Sequence, residues 1–175
     1  THSGTPIAEK KAELQSLVDR YTALEPANRE AALTEVFEGI PYARSQATLD
    51  ALDAALKVQE DLIAEQAKAD ALAAINDYLS GTYESISKAG VDELRDELTT
   101  LDLYSADYIA LAPEGGAERH TAVFRDLWNN KPAAGVYDLE TLTTYFNAMV
   151  GTRLKTQESM DKVNNAETVA DLEEI

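Results

Sequence analysis

The stretch Tyr21-Thr-Ala-Leu-Glu-Pro26 occurs a second time as Tyr108-Ile-Ala-Leu-Ala-Pro113, at an offset of 87 residues. When that offset is held without gaps from 21–37 to 108–124, seven of the 17 positions are identical. The identities include Tyr, Pro and Phe, so they do not come from alanine-rich composition alone. Self-similarity at a fixed period is typical of repeat architectures. The sequence therefore predicts a repeat of about 88 residues.

Apolar periodicity predicts three helices in the first unit. Apolar residues recur every three or four positions over 7–24, and Pro26 suits the first turn of a second helix, where its missing N–H costs nothing. No Gly or Pro occurs between Thr48 and Leu79. One nearly unbroken third helix of about 45 Å is therefore expected there, ending the first unit and leading into the second. A single apolar stripe is expected along it: Leu49, Leu52, Leu56, Ile63, Ala67, Ala71, Ile75 and Tyr78.

The second unit repeats the pattern with an insertion. Its first helix is expected over 91–111 with a bend around Leu103–Ala106, and its second over Glu118–Asn129. Its third is expected over Leu139–Asn164 with an interruption at Gly151, after an inserted loop at Asn129–Tyr137. No stretch alternates with the period of a strand. The predicted fold class is all-α, with tandem three-helix bundles in a rod-like repeat array joined by long connecting helices.

Four segments follow from this pattern. Residues 1–6 form a linker or boundary segment, 7–79 the first unit, 80–164 the second, and 165–175 the start of a following unit. The last assignment rests on the match of 169–172 to 91–94, both of which read Val-x-x-Leu. The alignment predicts that residues 7–76 and 94–163 superpose, with Phe37 and Phe124 buried at matching places.

Charge narrows the class of partner. The chain has 15 Lys and Arg against 32 Asp and Glu, a net charge of −17. Such a surface repels phosphate backbones and anionic lipid, so nucleic-acid binding is disfavoured, and it attracts divalent cations and basic partners. No window approaches the length of a membrane-spanning apolar run, so no membrane insertion is expected. There is no cysteine for a disulfide or a thiolate metal site.

Catalytic constellations are missing from the sequence. The two histidines are His2, near the start of the chain, and His120, which occupies the repeat position of Leu33 and is therefore expected to pack. There is no Gly-x-Ser-x-Gly elbow and no glycine-rich phosphate loop. We predict no enzyme, no catalytic, cofactor-binding or metal-ligating residue, and no cofactor.

The acidic clusters of the sequence are expected to form solvated surface. They lack the Asp-x-Asp-x-Asp-Gly loop of an EF-hand and the Glu-x-x-His pair of a di-iron site. We expect at most weak Ca²⁺ binding at the surface. The clusters are Asp92, Glu93, Asp96 and Glu97 around Arg95, the run Asp102–Asp107, and Glu173 with Glu174.

Aromatic residues divide into two groups. Tyr21 and Tyr108 recur at the same place in both units, which indicates packing. Trp128 and Tyr137 bracket the loop that only the second unit has, so they are the better candidates for contact with a ligand.

A short motif near the end of the chain points to a family. Val163-Asn-Asn-Ala-Glu-Thr-Val-Ala-Asp-Leu172 resembles the Asn-Ala-x-Thr-Val-x-x-Leu cadence that opens tandem helical modules in surface-layer (S-layer) and related cell-wall proteins of Gram-positive bacteria. The resemblance implies a secreted, extracellular array protein at the cell surface, whose lattice often depends on Ca²⁺. The motifs that anchor such proteins to the cell wall are missing from this chain, so anchoring is expected elsewhere in a longer protein.

Two functions are therefore expected. The first is a non-enzymatic structural or self-assembly segment of a bacterial cell-surface protein, whose partners are further copies or neighbouring domains of a longer chain. The alternative is a ligand-binding or adhesion module of a cell-wall protein that uses the loop at 129–137.

Overall fold

The computed structural model describes residues 7–39, 46–111 and 118–165. Within these ranges the chain forms helices and turns and no β-strand, which confirms the all-α class. No helix in them is long and apolar enough to cross a membrane. The segment predicted as a linker (1–6) lies outside the described residues. So does the segment predicted as the start of a further unit (165–175), apart from Asn165, which is the last residue of α8. The helices are α1 Ile7–Ala23, α2 Pro26–Gly39, α3 Gln46–Ser80, α4 Lys88–Glu93, α5 Arg95–Thr100, α6 Ala106–Ala110, α7 Glu118–Asn129 and α8 Leu139–Asn165.

The first two helices form as the periodicity predicts. Pro26 is the first residue of α2, where its fixed φ suits the helix and no N–H is needed. Arg29 of α2 reaches back to the end of α1: its Nε donates to the carbonyl oxygen of Leu24 at 2.6 Å and its guanidinium also donates to that of Thr22. A cation at these carbonyls satisfies acceptors that the end of a helix leaves open.

Helix α3 is one continuous helix of 35 residues, which confirms the long third helix. Its burial is not continuous, however. Leu56 is fully buried near one end and Ile75 near the other, whereas every residue of 61–67 is exposed, and Ile63 is 45% exposed. The apolar stripe of α3 is therefore buried only on either side of this stretch, which belongs to neither of the two apolar clusters that α3 enters.

The chain divides into two compact units, residues 1–66 and 67–175. The division falls within α3, earlier than the predicted boundary between 79 and 80. Ala71, Ile75 and Leu79 of α3 are buried in the core of the second unit. The last turns of α3 thus serve as a core helix for the helices that follow it in sequence.

The first predicted helix of the second unit is three short helices, α4, α5 and α6. The prediction of one bent helix over 91–111 is wrong because the chain leaves helical geometry twice. It does so at Leu94, and again after Leu101, where Asp102 has a positive φ of 58°. The carbonyl oxygen of Leu98 accepts from the backbone N–H of Leu103 at 2.7 Å, which closes the second turn. These breaks let leucines at irregular spacing all reach the core: Leu94, Leu98, Leu101 and Leu103.

Aromatic rings fill the centre of the second unit. Phe124 of α7 and Phe146 of α8 are fully buried, with ring centroids 6.3 Å apart in an edge-on arrangement. Tyr78 of α3 meets Phe124 at 5.8 Å, and Tyr108 of α6 meets Phe146 at 5.1 Å. The expected burial of Phe124 is confirmed, and the side chain of Phe37 lies outside the described part of the chain.

Truncating Phe124 tests this core. Phe124→Ala should lower the free energy of unfolding of the second unit by about 3–5 kcal/mol, because it removes a fully buried ring and leaves a cavity. Tyr145→Ala removes a 39% exposed aromatic from the same unit and should cost about 1 kcal/mol or less. Urea unfolding followed by circular dichroism measures both. Equal losses would show that Phe124 does not have the packing described here.

Helix α8 runs through Gly151 without a break, so the predicted interruption there is wrong. An internal glycine lowers helix stability but does not by itself end a helix. Nothing lies within 4 Å of where a Cβ at Gly151 would be, so the glycine is not needed for close packing. At Gly135, in the inserted loop, a Cβ would also meet nothing within 4 Å, but φ is +80°.

These two glycines make a matched pair. Gly151→Ala should raise the free energy of unfolding by about 0.5–1 kcal/mol, because alanine is the better helix former. Gly135→Ala should lower it by about 1–2 kcal/mol, because a Cβ is disfavoured at positive φ. Thermal unfolding of the two variants and the wild type measures both changes in stability. A loss of stability in Gly151→Ala would contradict a continuous helix at that point.

Candidate functional site

The inserted loop is tied to the core by Tyr137. Its side chain is 3% exposed, and its hydroxyl donates to the carbonyl oxygen of Leu127 at 2.7 Å. Its backbone N–H and C=O both bond the side-chain amide of Asn76, at 2.7 and 2.9 Å. Burial raises the pKa of Tyr137 to about 12. Tyr137 therefore fastens the loop to α3, and almost none of its side chain is open to contact with a ligand.

Trp128 is also occupied by intramolecular contacts. Its indole N–H donates to the carbonyl oxygen of Gly81 at 2.8 Å, and its ring meets that of Tyr83 edge-on at 5.7 Å. The ammonium of Lys131 lies 4.7 Å from the ring centroid. Trp128 thus holds the connection that follows α3. Both aromatic residues predicted to contact a ligand, Trp128 and Tyr137, are therefore engaged in contacts within the chain.

Asp138 ends the loop by capping α8. Its carboxylate accepts from the backbone N–H of Thr141 at 2.7 Å and from the Thr141 hydroxyl at 3.0 Å. The backbone bond, and then the hydroxyl bond, hold the pKa of Asp138 below its usual range. This is the ordinary geometry of a helix N-cap. The loop is therefore anchored at both of its ends.

His120 packs, as the repeat alignment predicts. Its ring stacks on that of Tyr108 with centroids 4.0 Å apart, and Nε2 lies 2.7 Å from the carbonyl oxygen of Tyr108. Since a carbonyl can only accept, Nε2 carries the proton. His2, like Glu173 and Glu174, lies outside the described residues.

The acidic cluster of 92–97 is split between two helices. Asp92 and Glu93 lie on α4, whereas Asp96 and Glu97 lie on α5. Across the described ranges, no group of three or more His, Cys, Asp or Glu side chains could hold a metal ion. The run Asp102–Asp107 spans the turn between α5 and α6.

The first unit has a thinner core than the second. Among its described side chains, no aromatic is fully buried. Arg20 of α1 links the unit to α3 by a bidentate pair with Glu60, with both N–O distances 2.8 Å, and by a contact with Asp53. The hydrogen bond from Arg20 holds the pKa of Glu60 below its usual range. The buried set is Leu17, Leu24, Ala32, Val36, Ala55 and Leu56.

A shallow apolar groove opens on this unit. Its volume is about 270 Å³. Leu14 and Val18, one helical turn apart on α1, are 48% and 44% exposed along it. An exposed apolar patch in a folded protein commonly marks a contact surface. The groove residues are Leu14, Leu17, Val18, Tyr21, Leu33 and Leu52.

The charge of α1 differs from that of the chain. The helix carries three acidic and three basic side chains, whereas the whole chain has a net charge of −17. The main wall of the groove is therefore a charge-balanced helix. An apolar surface there can be approached by another acidic protein with less repulsion than elsewhere on the chain.

The sequence does not reveal this groove, because the same apolar positions of α1 fit a face that is wholly buried. The width of the apolar stripe on α1 is the feature of the sequence that could have indicated the groove. The stripe is wider than the short helix α2 and the start of α3 can cover, and it consists of Leu14, Leu17, Val18, Tyr21 and Leu24. Only Leu17 and Leu24 of this stripe are buried.

No protein-family model, curated protein or solved structure matches this chain.

Proposed function

We propose that this chain is a non-enzymatic structural segment that self-assembles, part of a longer S-layer-like protein at a bacterial cell surface. The observation that carries the proposal is the apolar groove on the charge-balanced helix α1. The resemblance of 163–172 to S-layer modules supports the proposed extracellular location. The alternative function, ligand binding by the loop at 129–137, is less favoured because Tyr137 is buried.

A tandem arrangement of three-helix units is part of the proposal. Leu24 and Leu111 are both buried at the repeat offset of 87, as are Val36 and Val123. After the inserted loop of the second unit the alignment slips by three residues to an offset of 90, and at that offset Leu56 and Phe146 are both buried. These three pairs support a common packing plan, in which α1, α2 and the first part of α3 correspond to the segment α4–α6, α7 and α8. Further copies of such a unit in the parent protein would extend an array.

The proposed occupant of the groove is a second copy of the first unit. In an isologous dimer both copies use the same surface patch, so Leu14 and Val18 of one copy would be buried against the groove of its partner copy. The equal numbers of acidic and basic side chains on α1 leave no net repulsion between two such helices. Because Leu14 and Val18 are already about half buried, covering the rest of each side chain contributes about half of the ~1.5–3 kcal/mol of full burial, before the cost of association.

The groove predicts concentration-dependent dimerisation. Sedimentation of the wild-type chain should show a shift from monomer to dimer as concentration rises, and Leu14→Gln/Val18→Gln should remain monomeric. The matched control is Val58→Gln/Leu62→Gln, which removes another exposed pair one turn apart, outside the groove, with side chains 43% and 58% exposed. Circular dichroism checks that each variant is folded.

Two outcomes would contradict self-assembly through the groove. One is a wild-type chain that stays monomeric at all concentrations. The other is equal loss of dimer in the groove variant and the control, which would indicate unspecific apolar association.

Divalent cations should strengthen assembly. With 32 acidic against 15 basic side chains, nearest-neighbour repulsion survives physiological salt, which screens charges only beyond about 8 Å. A Ca²⁺ ion bridging carboxylates on two copies relieves that repulsion locally. We expect millimolar CaCl₂ to raise the melting temperature or the scattered light more than NaCl at matched ionic strength, through weak surface sites. Identical curves in the two salts would leave an inert spacer as the better description.

A further inference from the structure

Helix α8 continues beyond the core that it helps to build. Val150 of α8 is buried, and Leu154 still packs against the core of the second unit. Every residue of 158–163 is exposed, and Met160 and Val163 are 59% and 51% exposed. These two side chains lie three positions apart, so they are neighbours on the helix surface. The end of α8 therefore carries an exposed apolar pair.

The end of α3 carries a similar pair, but there the pair is packed. Ile75 is buried in the core of the second unit together with Val91 and Leu94, and Leu72 is partly buried against the same core. The second compact unit begins within α3, at residue 67. A unit of this chain thus uses the end of a long helix as a core element, and the helices that pack on it follow it in sequence.

The repeat aligns the end of α8 with the end of α3. Ile75-Asn76 recurs as Val163-Asn164 at an offset of 88, and the same offset pairs Leu72 with Met160. Each helix end therefore has two large apolar residues three positions apart. The pair that is packed in α3 is more than half exposed in α8.

The end of α8 is also charge-balanced. Residues 155–163 contain two basic side chains, Lys155 and Lys162, and two acidic ones, Glu158 and Asp161. The whole chain has a net charge of −17. A partner that is as acidic as this chain therefore meets less repulsion at the end of α8 than the net charge implies.

We propose that residues 155–163 are the docking surface for one further helical unit of the same type as the second unit. Met160 and Val163 pack against the core of that unit as Leu72 and Ile75 pack here. The occupant belongs to the same polypeptide, because the helices that pack on the end of α3 follow it in sequence. This inference rests on the tandem arrangement in the proposed function and identifies the surface that joins successive units.

A duplication within the full chain tests the docking surface. A second copy of residues 77–164 is inserted directly after Asn164, which keeps the spacing that follows Asn76 in the structure. The inserted copy carries Met160→Leu, so that Met160 remains only at the original position. Exchange of the amides at the original 158–163 should be at least about tenfold slower than in the undivided wild-type chain, because the added unit covers them. The methyl resonance of Met160 should also lose its exposure to a soluble paramagnetic probe.

Two variants of the duplicated chain show whether the apolar pair is responsible. Met160→Gln/Val163→Gln at the original positions should remove the protection of 158–163. The matched control is Val58→Gln/Leu62→Gln, an exposed apolar pair on α3 in the first unit, and it should leave the protection unchanged. The groove variant Leu14→Gln/Val18→Gln should also leave it unchanged, so this surface and dimerisation through the groove fail independently.

A reference chain makes a negative result decisive. In it the original residues 156–163 of the duplicated chain are replaced by the sequence of 68–75, which is packed on the second unit in the structure. Protection in the reference chain alone would show that tandem units can pack in this way but that the end of α8 does not dock one. Fast exchange in both chains would overturn the proposal as well.

Two further results would contradict it. One is protection of 158–163 that Met160→Gln/Val163→Gln leaves unchanged, which would mean that the apolar pair is not the contact. The other is protection of Met160 in the wild-type chain that rises with concentration, which would make a second copy of the chain the occupant.

Discussion

Helix α3 is the element on which both compact units depend, because each takes core residues from a different part of it. Leu56 packs with α1 and α2, and Ile75 and Leu79 pack with the helices of the second unit. Between these parts, 61–67 is exposed on every residue. No residue of this stretch belongs to either apolar cluster, so the continuity of the helix there depends largely on intrinsic propensity. The stretch Asp61-Leu-Ile-Ala-Glu-Gln-Ala67 contains no Gly or Pro and is rich in strong helix formers.

The two units use their buried surface differently. The second unit closes an aromatic core around Phe124 and Phe146 and uses Tyr137 and Trp128 to fasten its loops. The first unit has smaller buried side chains and leaves Leu14 and Val18 open on α1. A unit that leaves apolar surface uncovered gains stability from a partner. This contrast is why assembly is proposed through the first unit.

The sequence predicted the elements better than their burial. Helix α7 begins and ends where the apolar period and the preceding loop place it, and Pro26 marks the start of α2. The predicted interruption at Gly151 is wrong because a glycine in the sequence lowers helix propensity but does not show whether the surrounding helix continues. The breaks at Leu94 and Leu101 could not be predicted from the sequence, because leucine is a good helix former. The chain turns there because the turns bring leucines at irregular spacing into the core.

The sites were harder to predict than the fold. His120 packs, as the repeat alignment predicts, but its stacking on Tyr108 depends on turns between α4, α5 and α6 that periodicity does not reveal. The groove on α1 arises from partners that are too short to cover it, which is a property of three helices together.

The most direct test of this account is the conformation of 61–67. Backbone chemical shifts of the full chain, assigned from position 55 to 72, report helix residue by residue. The account predicts helical values without interruption, together with fast hydrogen exchange at 61–67 relative to the flanking core positions, because that stretch is exposed. Random-coil shifts at 61–67 would contradict it, since the two units would then be joined by a linker and α3 would be two helices.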